Sequence, residues 1–67
     1  MKTQNNNLKE YRMKRKMPQF EVAVYLGLKS TSRISLWENG ILYPHILNVL
    51  KLTNLYRTTV EKLFEEK

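Results

Sequence analysis

The chain has 67 residues, no cysteine and a single histidine, which excludes a disulfide framework and a zinc cluster, the usual staples of very small domains. Its net charge of +6 is one-sided: residues 1–33 hold eight cations, at 2, 9, 12, 14, 15, 16, 29 and 33, against Glu10 and Glu21, while residues 34–67 hold four of each sign. A basic half of this kind suits a polyanion partner, and no apolar run approaches the roughly 18 residues of a membrane span.

The start of the chain is polar. Lys2 is followed by Thr3, Gln4 and three asparagines instead of the apolar core of a signal peptide, so residues 1–6 read as a poorly ordered tail and the protein as cytoplasmic. Residues 7–67 read as one domain. A domain this small buries only about 60% of the surface its unfolded chain exposes, so its stability is modest.

A first helix is expected over residues 8–16, with Asn7 as N-cap, Glu10 where a capping-box acid would sit, and Arg15 and Lys16 at the negative end of the helix dipole. Pro18 suits the start of a second helix, because its missing N–H costs nothing there. On that helix Val22, Ala23 and Leu26 share one face, and Gly27 supplies the left-handed backbone that ends it. A third helix is expected over residues 31–39, opened by the capping hydroxyl of Ser30 and stopped by Gly40. Ile34 and Trp37, continued by Ile41, make its apolar stripe; Ser32, Ser35, Leu36 and Asn39 point the other way, on a face without an acid.

Residues 40–44 form a loop in which Pro44 fixes the entry to a fourth helix over residues 45–55. After a short connection, Thr58 or Thr59 caps a fifth helix that runs to about residue 65. No segment alternates as a strand does, so the chain reads as an all-α, five-helix domain with connections of two to six residues. The expected core is Leu8, Tyr11, Met17, Val22, Ala23, Leu26, Ile34, Trp37, Ile46, Val49, Leu50, Tyr56, Leu63 and Phe64.

The segment from Gln19 to Gly40 resembles the helix-turn-helix of the phage-repressor family, the lambda-repressor-like or xenobiotic-response-element class of transcription regulators. Leu8, Tyr11 and Arg12 resemble that family's first helix, Gln19 and Ala23 its second, and Glu38-Asn39-Gly40 the end of its recognition helix. Pro44, Val49 and Leu50, then Tyr56, Leu63 and Phe64 resemble its last two helices, so the likeness spans about residues 8–64. The chain departs from the pattern in one place: the interval from Gly27 to Gly40 is one residue longer, with the extra residue within 28–31.

The resemblance implies a double-stranded DNA-binding regulator, with the third helix in the major groove as a repressor on its operator. Thr31, Ser32, Arg33 and Leu36 then meet base edges. Arg33 can grip guanine O6 and N7 bidentately, or contact a phosphate from the edge of the face; the hydroxyls can read several bases or simply cap, and Leu36 can pack on a thymine methyl. Gln19 resembles the family's phosphate-binding glutamine, and Lys29, Asn39, Tyr43, Lys14 and Lys16 are further phosphate candidates. Asn39 has a purely local alternative as part of an Asn-Gly helix stop. The resemblance also pairs Arg12 with Glu38 as a structural ion pair.

Enzymatic readings have little support. His45 stands alone, there is no cysteine nucleophile or glycine-rich phosphate loop, and no cofactor or metal is implied. Phe20 and Val24, one turn apart, point away from the apolar stripe of the second helix; they are either buried by the tail or the lengthened turn, or offered to a partner protein. Leu47, Leu52 and Leu55 with the C-terminal helix suggest a homodimer surface. Two alternatives share these features: the antitoxin of a toxin–antitoxin pair, and a protein-interaction module that no longer reads DNA.

Overall fold

The structure, a computed structural model, describes residues 6–65. Among them are five helices and no strand: α1 (Leu8–Lys14), α2 (Gln19–Leu26), α3 (Ser32–Glu38), α4 (Ile46–Tyr56) and α5 (Val60–Phe64). The first helix packs against α3 and α5, α2 against α3, and α4 against α5, so α1 sits between the helix-turn-helix pair and the C-terminal pair. The core joins Leu8 of α1, Val22, Ala23 and Leu26 of α2, Ile34 and Trp37 of α3, Leu52 and Tyr56 of α4, and Leu63 of α5. Tyr11, Met17, Leu28, Leu55 and Phe64 close its edges.

Four helices end in one hydrogen-bond pattern, in which a residue in the left-handed region and the residue after it both donate their N–H groups back to carbonyls of the last turn. After α2 the turning residue is Gly27 and after α3 it is Gly40. After α1 and α4 it is Lys16 and Arg57, with φ of 55° and 53°, where a Cβ makes the conformation costly. Met17 N–H thus reaches the Arg12 carbonyl, and Thr58 N–H that of Thr53. This turn stops α1 at Lys14, two residues before the sequence expectation.

Asn7 departs from its expected role. It precedes α1, yet its side chain makes no bond to that helix. Its Nδ2 instead donates to the carbonyls of Lys62 and Glu65, at 2.9 and 3.1 Å, and its backbone N–H donates to Leu63 at 2.7 Å. Asn7 therefore closes the C-terminal end of α5, a helix too short to hold itself. The Leu8 N–H is accepted by Asn6 Oδ1, and Asn6 Nδ2 donates to the Trp37 carbonyl at 2.8 Å. Asn6, which the sequence places in a loose tail, ties α1 to the end of α3; the rest of that tail, residues 1–5, lies outside the described residues.

The other caps are local. His45 caps α4, its Nδ1 accepting from Leu47 N–H at 3.2 Å, and Thr59 caps α5 through Lys62 N–H. Of the two candidate threonines, Thr58 is not the cap, and its buried Oγ1 has no hydrogen-bond partner.

The fourth helix corrects part of the expected core. Its buried stripe is Val49, Leu52 and Tyr56, while Ile46 and Leu50 are about half exposed. Both sets fall at helical spacing, so the pattern alone offers two faces; packing on α5 selects the one that contains Leu52. Leu52 is accordingly 2% exposed and unavailable to the dimer surface proposed from the sequence. Ile41 is likewise exposed instead of continuing the α3 stripe, because the chain has already turned at Gly40.

Candidate nucleic-acid interface

The third helix is held from behind and left open in front. Ile34 and Trp37 are buried, whereas Ser32 and Arg33 are exposed and Thr31, Ser35 and Leu36 are half-buried. Its first turn begins at Ser32, one residue later than expected: Thr31 is the capping residue by position, but the Ser30 hydroxyl accepts the Ser32 N–H. The connection from Gly27 to Ser32, where the sequence carries its extra residue, bends instead of continuing either helix, and Gly27, Leu28, Lys29 and Ser30 of it line with Arg33 a hollow of about 300 Å³.

The only acid on α3 faces inward. Glu38 accepts from Arg12 through both carboxylate oxygens, Nε to Oε2 at 2.6 Å and Nη2 to Oε1 at 3.1 Å, and from Gln19 Nε2 at 3.1 Å. The remaining Arg12 nitrogen, Nη1, donates to the Met17 carbonyl at 2.9 Å. One carboxylate therefore ties the ends of α1, α2 and α3 together, and the Glu38 side chain is only 5% exposed. The hydrogen bond to Glu38 holds the Arg12 guanidinium above its ordinary pKa, against the lowering effect of burial. Burial pushes the neighbouring Tyr56 hydroxyl above the ordinary phenol range, and the Glu38 charge adds to the shift.

A family model described as helix-turn-helix matches residues 8–63, most of the chain. The chain belongs to that family. It has the lambda-repressor-like fold and is a DNA-binding helix-turn-helix regulator. No curated protein matches it. No helix among the described residues is long and apolar enough to cross a membrane, and none of their side-chain clusters could hold a metal ion.

In this helix-turn-helix protein α2 and α3 form the motif, and the other candidate contacts lie around it. Gln19 opens α2 with its amide nitrogen already committed to Glu38, so its position is fixed by the ion pair. Asn39 follows α3, its Nδ2 3.4 Å from Ser35 Oγ. Lys29 is exposed beside the hollow. Lys14 and Lys16 are exposed at the end of α1, the Lys14 ammonium lying 4.8 Å from the centre of the Tyr11 ring. Tyr43 stacks on Phe64 of α5 at 4.8 Å between centroids and stays 55% exposed.

The sequence reading missed the link from Gln19 to Glu38 and the carbonyl of Met17. A glutamine opening a helix also suits a phosphate contact, so residue type alone could not assign it inward, and a backbone carbonyl leaves no trace in sequence. Phe20 and Val24 are 62% and 74% exposed, so the lengthened turn does not bury them; the expectation that the tail covers them falls on residues 1–5, outside the described residues.

Proposed function

We propose that the chain is a cytoplasmic transcription regulator that reads double-stranded DNA with α3 in the major groove and represses by occupying its operator. The observation that carries this reading is the fate of Glu38. With that carboxylate spent on Arg12 and Gln19, the outward side of α3 offers Thr31, Ser32, Arg33 and Leu36 and no negative charge. This suits a helix that lies between phosphate strands, because an unpaired acid there adds repulsion from the flanking phosphates. Arg33 is the side chain fitted to guanine. Lys14, Lys16, Lys29 and Asn39 supply phosphate contacts, and Gln19 adds one through the amide hydrogen that Glu38 leaves free; these set orientation and salt dependence without reading sequence, whereas Tyr43 goes to the dimer surface described next.

The chain acts as a two-fold dimer on this reading. Because Leu52 belongs to the core, the surface for a second copy is Leu42, Tyr43, Ile46, Leu47 and Leu50, each 48–61% exposed. Selection of bound sites from random duplexes tests both parts. A palindromic site with half-sites about one helical turn apart supports dimeric readout, and recovery of no preferred sequence removes the sequence-specific claim.

The exposure of Phe20 and Val24 favours a second reading, in which the regulator is an antitoxin that binds both DNA and a protein.

A further inference from the structure

The outer side of α2 is apolar where a solvated helix would be polar. The buried side holds Val22, Ala23 and Leu26; facing away are Phe20, Val24 and Tyr25, at 62%, 74% and 45% exposure, and one acid, Glu21. Phe20 and Val24 are four residues apart and form a stripe along the helix. One turn further, the stripe reaches Gly27 and Leu28, which begin the hollow that Lys29, Ser30 and Arg33 complete. No carboxylate lines that hollow.

The charges around this face are nearly all of one sign. Between residues 11 and 37 Glu21 is the sole acid, against Arg12, Lys14, Arg15, Lys16, Lys29 and Arg33, of which Arg12 is neutralised by Glu38. Cations therefore stand before α2 and after it, with the apolar stripe between. An apolar surface bounded by cations is complementary to an amphipathic segment with apolar side chains one turn apart and acids at its ends.

We infer that the outer face of α2, with the hollow of Lys29 and Arg33, docks an acidic amphipathic protein segment: apolar side chains cover Phe20 and Val24 while a carboxylate enters the hollow. The surface has a regulatory consequence that rests on the DNA reading above. Lys29 and Arg33 serve both ligands, so the docked segment and DNA exclude one another.

Panning a displayed library of random dodecapeptides against the full chain supplies the probe. The expected winners carry Leu, Phe or Trp at i and i+4 with Asp or Glu on both sides. Their synthetic forms shift the amide signals of Phe20, Val24, Tyr25 and Lys29, and they lose affinity roughly tenfold or more on the double variant Phe20→Ser/Val24→Ser, as truncation of an aromatic anchor predicts. The inference is overturned if nothing binds better than to the double variant, if the winners lack acids, or if the shifts fall on Ile46, Leu47 and Leu50. Binding of random duplex to the unmodified chain is measured separately. If that fails, the DNA reading fails and the docking surface stands on the peptide data; if duplex binds without displacing the peptide, mutual exclusion is wrong.

Discussion

Arg12 and Glu38 meet side-on, two guanidinium nitrogens on two carboxylate oxygens at 2.6 and 3.1 Å, across the boundary between α1 and the recognition helix. The pair ties α3 to the end of α1 and turns its only acid inward, away from the face proposed to read DNA. Removing one partner strands the other charge in a largely buried place, at a cost of about 3–5 kcal/mol. Total stability for a chain this size is about 3–10 kcal/mol. Arg12→Ala or Glu38→Ala is thus expected to leave much of the protein unfolded at 37 °C by circular dichroism. The double variant Arg12→Met with Glu38→Leu, which removes both charges and refills the space, is expected to be less destabilised than the sum of the two single losses.

Asn7 gives a sharper test because two roles predict opposite outcomes. As an N-cap of α1 it would tolerate Asp, which caps as well and suits the helix dipole. As the donor that closes α5 it would not, since a carboxylate would face the Lys62 and Glu65 carbonyls. Asn7→Asp is expected to cost about 1–3 kcal/mol in urea unfolding, with α5 amides exchanging faster.

Asn7 and Leu52 also mark how far the sequence was legible. Helix number, order and type could be read from apolar spacing and punctuation by Gly27, Gly40, Pro18 and Pro44, because these signals are local. The inward face of α2 was equally plain, since Val22, Ala23 and Leu26 offer one stripe. The fourth helix has apolar residues on more than one side, and only its contact with α5 decides that Leu52 goes in and Leu50 stays out. At the site, the family resemblance supplied the partnership of Arg12 with Glu38. The involvement of Gln19 depends on the three-dimensional meeting of three helix ends, which no spacing encodes.

Arg57 holds a left-handed conformation at the end of α4 that glycine adopts without strain. Arg57→Gly is expected to raise stability by about 0.5–1 kcal/mol, after allowance for the greater freedom glycine has in the unfolded chain. A thermal melt reads this as an increase of several degrees. Any decrease would mean that the arginine side chain contributes more than the strain it causes.

Tyr56 predicts sensitivity to alkali. Its pKa is raised by burial above the ordinary phenol value of 10.0, so its contribution to stability is complete below that pH and is lost as pH rises above it, when the unfolded chain ionises first. The raised Arg12 value acts with the same sign at still higher pH. Melting temperature should therefore fall above about pH 10, and Tyr56→Phe should make that fall shallower. An identical alkaline profile for the two proteins would contradict the burial of this hydroxyl.

DNA binding by the acid-free outward face of α3 is tested most directly by a salt titration of duplex binding by wild type and Arg33→Ala. Log K is expected to fall linearly with log salt on any duplex, and Arg33→Ala to lose about 1–3 kcal/mol on the selected site but much less on random sequence. Equal losses on both duplexes would reduce Arg33 to a phosphate contact, and binding that ignores salt would contradict the proposed interface altogether.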